Sequence, residues 1–265
     1  MSLPPLSSHL GYLFNEYDLA NRIAASAKAG FDAVEFPQPY AIPAPEMARL
    51  LKDNGLFYAQ MAASPGVAAR GEKGLACLPG READFRDGVA KAMDYAGQIG
   101  CRLVHPTAGV LTSETDRATA WGVYVENLAA VAEMASGRGM GILIEPISHK
   151  TVPNFFIGTP DLAVQAIEAV GASNVSILLD TYHCAATEID AARFVRDHPG
   201  RVGHVHIADF PGRHEPGTGE IDFDDLLDAL DETGYRGAVG FEYIPTAGTE
   251  AGLSWIADWR ARRAA

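Results

Sequence analysis

The chain has few cysteines and a shortage of basic residues, and each shortage excludes a class of protein. Its three cysteines, Cys77, Cys101 and Cys184, lie far apart and form no CxxC pair. We therefore expect buried thiols in a reducing compartment, without a disulfide framework or a cysteine zinc site. The 21 Lys and Arg residues are outnumbered by 34 Asp and Glu residues, which gives a formal net charge of −13. Such an acidic surface repels polyanions, so we expect no nucleic-acid partner.

Long apolar runs and linkers are missing as well. No stretch approaches the ~18 consecutive apolar residues of a membrane span, and the N-terminal segment lacks a basic region followed by an apolar one. These absences predict a cytoplasmic chain with no membrane partner. No low-complexity tract or Ser/Gly-rich linker interrupts the 265 residues, of which 48% are hydrophobic. We expect one domain over residues 1–265, with a large core.

Short apolar runs alternate along the chain with longer amphipathic patterns, which is typical of βα units in a parallel sheet. The predicted strands are Ser8–Leu13, Ala33–Phe36, Leu56–Met61, Arg102–His105, Gly141–Glu145, Val175–Asp180, Val202–Ala208 and Ala238–Glu242. The predicted helices are Tyr17–Lys28, Pro45–Asp53, Glu82–Gln98, Arg117–Gly137, Asp161–Val170, Asp190–Asp197, Phe223–Thr233 and Leu253–Arg263. Eight such units predict an α/β protein with a single (β/α)8 TIM barrel.

Three of the predicted loops that follow strands are unusually long. They are Ala62–Arg81, Pro106–Asp116 and Pro146–Pro160. All three would lie at the C-terminal face of the barrel, where the residues of barrel enzymes that bind and convert substrate are found. We therefore expect the functional site at this face.

Four consecutive predicted strands, the fifth to the eighth, end in a side chain that can bind a metal: Glu145, Asp180, His206 and Glu242. Because neighbouring strands lie about 4.8 Å apart, these side chains can point at one place in the barrel mouth. Each acid taken alone could instead cap a loop or pair with a cation. Grouped carboxylates beside apolar strands, however, are costly unless a cation or a shared proton compensates their charge. Three carboxylates and one imidazole favour Mg²⁺ or Mn²⁺, with Zn²⁺ or Co²⁺ as alternatives.

His183 and Arg213 are the predicted substrate-binding residues. His183 lies three residues beyond Asp180, where it could polarise a substrate oxygen or support a metal ligand. A purely structural histidine is the alternative. Arg213 lies in the loop after the seventh predicted strand, and a guanidinium matches a carboxylate in bidentate geometry. Its alternative is a solvated arginine paired with Glu215.

Four further histidines are weaker candidates. They are His9, His105, His149 and His204. By strand alternation, His204 shares the face of His206 one layer deeper in the barrel. This position suits a core residue or one that supports a metal ligand.

Five segments form a specific combination: 144–146 (Ile-Glu-Pro), 179–183 (Leu-Asp-Thr-Tyr-His), 203–209 (Gly-His-Val-His-Ile-Ala-Asp), 213–221 (Arg-His-Glu-Pro-Gly-Thr-Gly-Glu-Ile) and 240–243 (Gly-Phe-Glu-Tyr). Together they resemble the hydroxypyruvate isomerase family, within the xylose isomerase-like TIM barrel superfamily. Further matches are the segment 29–36, which contains Glu35, and the loop segment 70–82. These segments span nearly the whole chain, and the loop motifs are much more specific than the fold.

The resemblance implies an isomerase of carbohydrate metabolism in which Glu145 and Glu242 are the catalytic acid/base pair. With Asp180 and His206, the same glutamates would hold a divalent metal. Interconverting an α-hydroxy aldehyde and an α-hydroxy ketone through an enediolate needs a base, an acid and a partner for the oxyanion. The two glutamates would supply the base and the acid, and the metal, assisted by His183, would stabilise the oxyanion. Arg213 would bind the carboxylate of hydroxypyruvate or tartronate semialdehyde.

One position departs from the family pattern. The hydroxypyruvate members carry glutamine where this chain has His206, whereas the related keto-sugar epimerases carry histidine. The histidine favours metal binding and leaves two alternatives for the reaction, a 2-oxo-tetronate isomerase and a metal-dependent keto-sugar 3-epimerase. An AP endonuclease, which is another alternative, would need a multi-zinc cluster and a basic groove. A non-catalytic binding barrel is the last alternative, and its function would not depend on Glu145 as an acid or base. The sequence leaves open whether the chain forms a homo-oligomer.

Overall fold

The computed structural model describes residues 3–113 and 115–264, with side chains through residue 261. Residues 1, 2 and 265 of the predicted domain and Glu114 of the predicted loop Pro106–Asp116 lie outside the described residues. The strands are β1 (Leu6–His9), β2 (Ala33–Glu35), β3 (Phe57–Tyr58), β4 (Met61–Ala62), β5 (Leu103–His105), β6 (Gly141–Ile144), β7 (Val175–Asp180), β8 (Val202–Ile207) and β9 (Val239–Phe241). The α-helices are α1 (Leu19–Lys28), α2 (Ala44–Asn54), α3 (Glu82–Ile99), α4 (Arg117–Ser136), α5 (Pro160–Val170), α6 (Thr181–Ala186), α7 (Ala191–Asp197), α8 (Phe223–Glu232) and α9 (Ser254–Ala264).

The strands pair in the order β3-β2-β1-β9-β8-β7-β6-β5-β4, and every pairing between them is parallel. The two ends of this sheet, β3 and β4, are consecutive pieces of the third predicted strand. The sheet therefore curls into a nearly closed barrel with the helices outside, which confirms the predicted (β/α)8 TIM barrel.

Local sequence explains why the helices begin and end where they do. The side chain of Asp18 accepts a hydrogen bond from a backbone N–H in the first turn of α1, and Asp116 and Thr159 cap α4 and α5 in the same way. Gly55 and Gly100 end α2 and α3 in the left-handed conformation, which glycine adopts without steric cost.

Two predicted strands differ from the observed ones. The first is predicted at Ser8–Leu13, but β1 ends at His9, because the N–H groups of Tyr12 and Leu13 turn back to the carbonyl of His9 at 3.0 and 2.9 Å. The third, Leu56–Met61, is split into β3 and β4. β3 pairs with β2, and β4 pairs with β5 on the other side, so the strand breaks where it changes partner.

The three long loops are tied to one another at the C-terminal face. Gly74 and Ala108 form an antiparallel bridge, and Val110 and Phe155 form another. The backbone N–H of Phe156 also donates to the carbonyl of Gly109 at 2.8 Å. Gly74 is in the left-handed region with φ of 126°, and a Cβ there would lie 2.3 Å from the carbonyl oxygen of Thr107. Only glycine allows the first two loops to approach this closely.

The core contains the three cysteines, all buried and free, as predicted. Within the described part of the chain, no helix is long and apolar enough to cross a membrane.

Candidate active site

The structure brings together the four predicted ligands at the C-terminal mouth of the barrel. One ligand atom from each of Glu145, Asp180, His206 and Glu242 lies within 4.8 Å of the others. Asp180 is the last residue of β7, His206 lies near the end of β8, and the two glutamates directly follow β6 and β9. The parallel sheet thus aims four chemically active groups at one point, since the carboxyl ends of its strands meet at one edge.

The carboxylate of Asp180 has two separate functions in this geometry. Its Oδ1 accepts hydrogen bonds from the backbone N–H groups of Tyr182 and His183 at 2.7 and 3.2 Å, which caps α6. This short helix is absent from the predicted elements, and Asp180 is its N-cap residue. The other oxygen, Oδ2, remains directed at the cluster, 3.4 Å from Nη2 of Arg213.

His206 is held from behind by a buried carboxylate. Its Nε2 lies 2.6 Å from Oε1 of Glu35. Its Nδ1 faces the cluster, 3.5 Å from Oε2 of Glu242 and 3.9 Å from Oε1 of Glu145, and has no hydrogen-bond partner. Burial lowers the pKa of His206, but the charges of Glu35 and Glu242 outweigh burial and raise the pKa well above its ordinary value.

Arg213 lies against the carboxylates themselves. Its Nη2 contacts Oε2 of Glu242 and reaches Asp180, and its guanidinium carbon lies 5.2 Å from the ring centre of Tyr12 and 5.1 Å from that of Tyr182. Two aromatic faces thus fix the plane of the cation. The solvated alternative with Glu215 is wrong, because the Arg213 side chain is 14% exposed, and Oε1 of Glu215 instead accepts from the backbone N–H of Thr246.

The two glutamates have opposite pKa shifts, although desolvation acts to raise the pKa of both. Burial and the charge of Glu242 raise the pKa of Glu145 to about 8. Burial also acts to raise the pKa of Glu242, but His206, His9 and Arg213 outweigh it and lower that pKa below its ordinary value. In the metal-free site at neutral pH, the proton therefore resides on Glu145 rather than on Glu242. Such a divided pair is suited to acid/base chemistry.

Two histidines that the sequence ranked as weaker candidates also face this cluster. Nε2 of His9 lies 3.3 Å from Oε1 of Glu242, and Nδ1 of His105 lies 3.6 Å from Oε2 of Glu145. Burial lowers the pKa of His9, and it lowers that of His105 to about 3. Each histidine is the last residue of its strand. The predicted fourth strand also ends at His105, a signal that could have raised His105 in the ranking, whereas the predicted first strand runs on to Leu13 and gives no such signal for His9.

Of the other three histidines considered in the sequence, one lies in the site, one lies beneath it and one lies in a loop outside it. His183 is buried, with Nε2 3.8 Å from Oδ2 of Asp180, and burial lowers its pKa. His204 lies one layer below His206, as expected, with Nε2 2.9 Å from Oε2 of Glu35. His149 is exposed, and its Nε2 lies 2.8 Å from the carbonyl of Phe155 in the loop after β6.

The cluster could hold a divalent metal. The unpartnered Nδ1 of His206 and three converging carboxylates present one imidazole nitrogen and several oxygens to the same point. Hard divalent ions prefer carboxylate oxygens, and an imidazole nitrogen adds suitability for transition metals. The donor atoms, their proximity and their burial all fit a divalent cation.

Comparison with known proteins assigns the family. Residues 23–259 match the family model for the xylose isomerase-like TIM barrel. The chain belongs to this family. This xylose isomerase-like barrel is 42% identical to 2-oxo-tetronate isomerase of Cupriavidus necator, over 98% of its own length and 100% of the relative's. It is 40% identical to hydroxypyruvate isomerase of Escherichia coli, over 96% and 98% of the two chains.

Solved structures agree with the fold. A Brucella melitensis protein named as a family 2 AP endonuclease superposes with a TM-score of 0.93 at 37% identity, over 97% of this chain and 99% of that one. D-psicose 3-epimerase from Clostridium cellulolyticum superposes with a TM-score of 0.78 at 21% identity, over 94% and 89% of the two chains. The second likeness shows the barrel fold alone.

Proposed function

We propose that this barrel interconverts a small α-hydroxy aldehyde and the corresponding α-hydroxy ketone, both carrying a carboxylate. The substrate class is that of hydroxypyruvate and tartronate semialdehyde. The observation that carries this proposal is the convergence of two glutamates, Glu145 and Glu242, beside an arginine fixed between two aromatic rings. The names of the two relatives support the same class of reaction.

The proton transfers follow from the pKa shifts. Glu242, ionised, takes the proton from the carbon that bears the hydroxyl group, which leaves an enediolate. Glu145, the glutamate with the higher pKa, returns a proton to the neighbouring carbon, and the hydroxyl proton passes from one substrate oxygen to the other. The carbonyl has then moved by one carbon, and proton exchange with solvent restores the two glutamates. Glu145, Asp180, His206 and Glu242 would hold a divalent metal, Mg²⁺ or Mn²⁺ foremost, which when bound stabilises negative charge on oxygen.

Arg213 and His183 would recognise the substrate. The Arg213 guanidinium lies at the carboxylate cluster with its plane fixed by Tyr12 and Tyr182, so it is oriented to meet an anionic group. His183, kept neutral by burial, would donate to or accept from a substrate oxygen. A negatively charged substrate needs this local cation, because the chain as a whole carries a net charge of −13.

Isomerisation of a four-carbon 2-oxo acid is the second candidate, favoured by the relative named 2-oxo-tetronate isomerase. It would use the same acid/base pair and the same arginine. Cleavage of DNA is opposed by the net charge of −13, since phosphate backbones require a basic surface. Epimerisation of a neutral keto sugar would offer Arg213 no substrate carboxylate to bind.

Exchange of substrate protons with solvent deuterium tests the proposal. The purified protein is incubated in D₂O with hydroxypyruvate, a 2-oxo-tetronate or a small neutral keto sugar, each with EDTA or with added Mn²⁺, and the substrates are followed by NMR. Deuterium beside the carbonyl of one acid would support enediolate chemistry and identify the substrate. Loss of exchange in EDTA would support the metal. No exchange on any compound in either condition would refute the isomerase proposal in favour of a ligand-binding barrel.

A further inference from the structure

A second cluster of titratable groups lies directly beneath the candidate active site. Glu35, His204 and His206 bring their ligand atoms within 4.8 Å of one another. Glu35 and His204 are fully buried, and His206 is 3% exposed. The acid/base chemistry proposed above uses neither Glu35 nor His204.

The carboxylate of Glu35 binds both histidines at once. Oε1 lies 2.6 Å from Nε2 of His206, and Oε2 lies 2.9 Å from Nε2 of His204. A carboxylate oxygen is an acceptor only, so at these two distances each oxygen accepts a hydrogen bond from the ring nitrogen that it faces. Both Nε2 atoms must therefore carry the proton and donate.

The barrel makes room for this carboxylate at a glycine. Glu35 ends β2, whereas the histidines belong to β8, with β1 and β9 between these strands. The side chain crosses this gap over Gly240 of β9, where a Cβ would lie 2.5 Å from Oε1 and 2.7 Å from Oε2 of Glu35. No real Cβ contact is that short, so the glycine is what admits the carboxylate.

Packing alone does not account for such an arrangement. Burying a carboxylate and two imidazoles costs desolvation energy, and replacing buried ionic groups by apolar residues of similar volume is often neutral or stabilising. The arrangement does, however, orient one side chain of the candidate active site, His206. With Nε2 of His206 committed to Glu35, its other nitrogen, Nδ1, is turned to Glu145 and Glu242.

We propose that Glu35 is a positioning residue that fixes the orientation of His206, so that Nδ1 is presented as the nitrogen ligand of the divalent metal. A carboxylate that accepts from the far nitrogen of a ligating imidazole both orients the ring and strengthens it as a ligand. This inference rests on the proposed metal-dependent function. His204 shares the carboxylate and keeps Glu35 centred between the two rings.

Two variants disturb this arrangement in different ways, and a third controls for burial. Glu35→Gln keeps the shape but removes the charge that makes both histidines donate. Gly240→Ala keeps the charge but pushes the carboxylate away from its place. Glu215→Gln makes the same chemical change at another buried glutamate, whose Oε1 accepts from Thr246. This control shows how far neutralising a buried carboxylate elsewhere in the protein changes the measured Mn²⁺ affinity and the histidine NMR signals.

Two measurements detect the effect of these substitutions on His206 and on metal binding. Mn²⁺ affinity is measured by calorimetry, and the imidazole nitrogens of ¹⁵N-histidine-labelled protein are observed by NMR, without metal and with Mg²⁺. Wild type and Glu215→Gln should show His206 with a proton bonded to Nε2 in both conditions. In Glu35→Gln and Gly240→Ala this Nε2–H signal should be lost or exchange rapidly, and Mn²⁺ should bind about 10–100-fold more weakly.

The outcomes separate this inference from the function on which it rests. Glu35→Gln and Gly240→Ala proteins with wild-type Mn²⁺ affinity and an unchanged His206 signal would overturn the positioning role, while leaving the isomerase proposal intact. A wild-type protein that binds no Mn²⁺ would refute the metal-dependent function and, with it, the ligand role of His206. If Glu35→Gln does not fold, Gly240→Ala, in which every ionisable group is retained, decides the question.

Discussion

Nδ1 of His105 lies 3.6 Å from Oε2 of Glu145, and the imidazole is buried and neutral. Burial lowers the pKa of His105 from 6.5 to about 3. Between these two values the unfolded chain binds a proton that the folded chain does not, so stability from this residue is present above pH 6.5 and is lost as the pH falls. In the metal-free protein, this residue adds a slope of up to about 1.4 kcal/mol per pH unit to the free energy of unfolding.

His105→Gln should therefore flatten the acid side of the stability profile. The measurement is urea unfolding in EDTA at several values between about pH 5 and pH 7, with His198→Gln as a control for losing an imidazole outside the site. If the free energy of unfolding falls with decreasing pH equally steeply in His105→Gln and in wild type, His105 does not resist protonation in the folded protein.

Glu145→Gln should lower turnover by about 10²–10⁴-fold, because an amide cannot deliver the proton that the proposed reaction takes from Glu145. Glu242→Gln should be impaired at least as strongly, since it removes the base. Deuterium exchange into substrate measures both effects, and circular dichroism checks the fold. A Glu145→Gln protein with wild-type exchange would support a non-catalytic barrel.

Arg213→Ala should raise the KM for hydroxypyruvate by about 10–100-fold, which corresponds to the loss of a charge-assisted hydrogen bond. Dihydroxyacetone, the neutral analogue of the same length, should be affected much less. Arg213→Lys should not restore binding, because an ammonium group cannot stack between Tyr12 and Tyr182 as the planar guanidinium does. Equal effects on both compounds would argue against a carboxylate-binding role.

Asp209→Asn should loosen the loop that carries Arg213. Both carboxylate oxygens of Asp209 accept from backbone N–H groups, Oδ1 from Phe210 and Ile221, and Oδ2 from Gly217 and Gly219. Either orientation of an asparagine amide would place its NH₂ group against two donors. We expect about 1–3 kcal/mol of destabilisation and faster hydrogen exchange across residues 209–221, seen by mass spectrometry. Unchanged exchange in this segment would contradict the expectation.

The sequence predicts the positions of the site better than the details of the strands around it. Glu145, Asp180, His206 and Glu242 were recognisable because each stands at or near the end of an apolar run, and parallel strands bring such ends together. The exact ends of β1 and the break between β3 and β4 were not predictable in this way. They depend on hydrogen bonds to other strands and to a turn, which apolar patterning does not encode.

Contacts across the barrel were the other feature that the sequence could not supply. Glu35 meets His206 across two intervening strands, and Arg213 lies against Asp180 and Glu242 although it belongs to a loop. Both contacts depend on how the strands close and on the path of the loop, and neither has a signature in the local pattern. The missed helix α6 is a similar case, since it is too short for a helical period to stand out.

The bridges from Gly74 to Ala108 and from Val110 to Phe155 bear on attempts to alter specificity by engineering. Loops on barrel scaffolds are commonly treated as modules that can be exchanged one at a time. In this protein the loops after β4, β5 and β6 share backbone hydrogen bonds, so a graft of one loop would leave donors and acceptors of its neighbours unmatched. The three are best transplanted as a set.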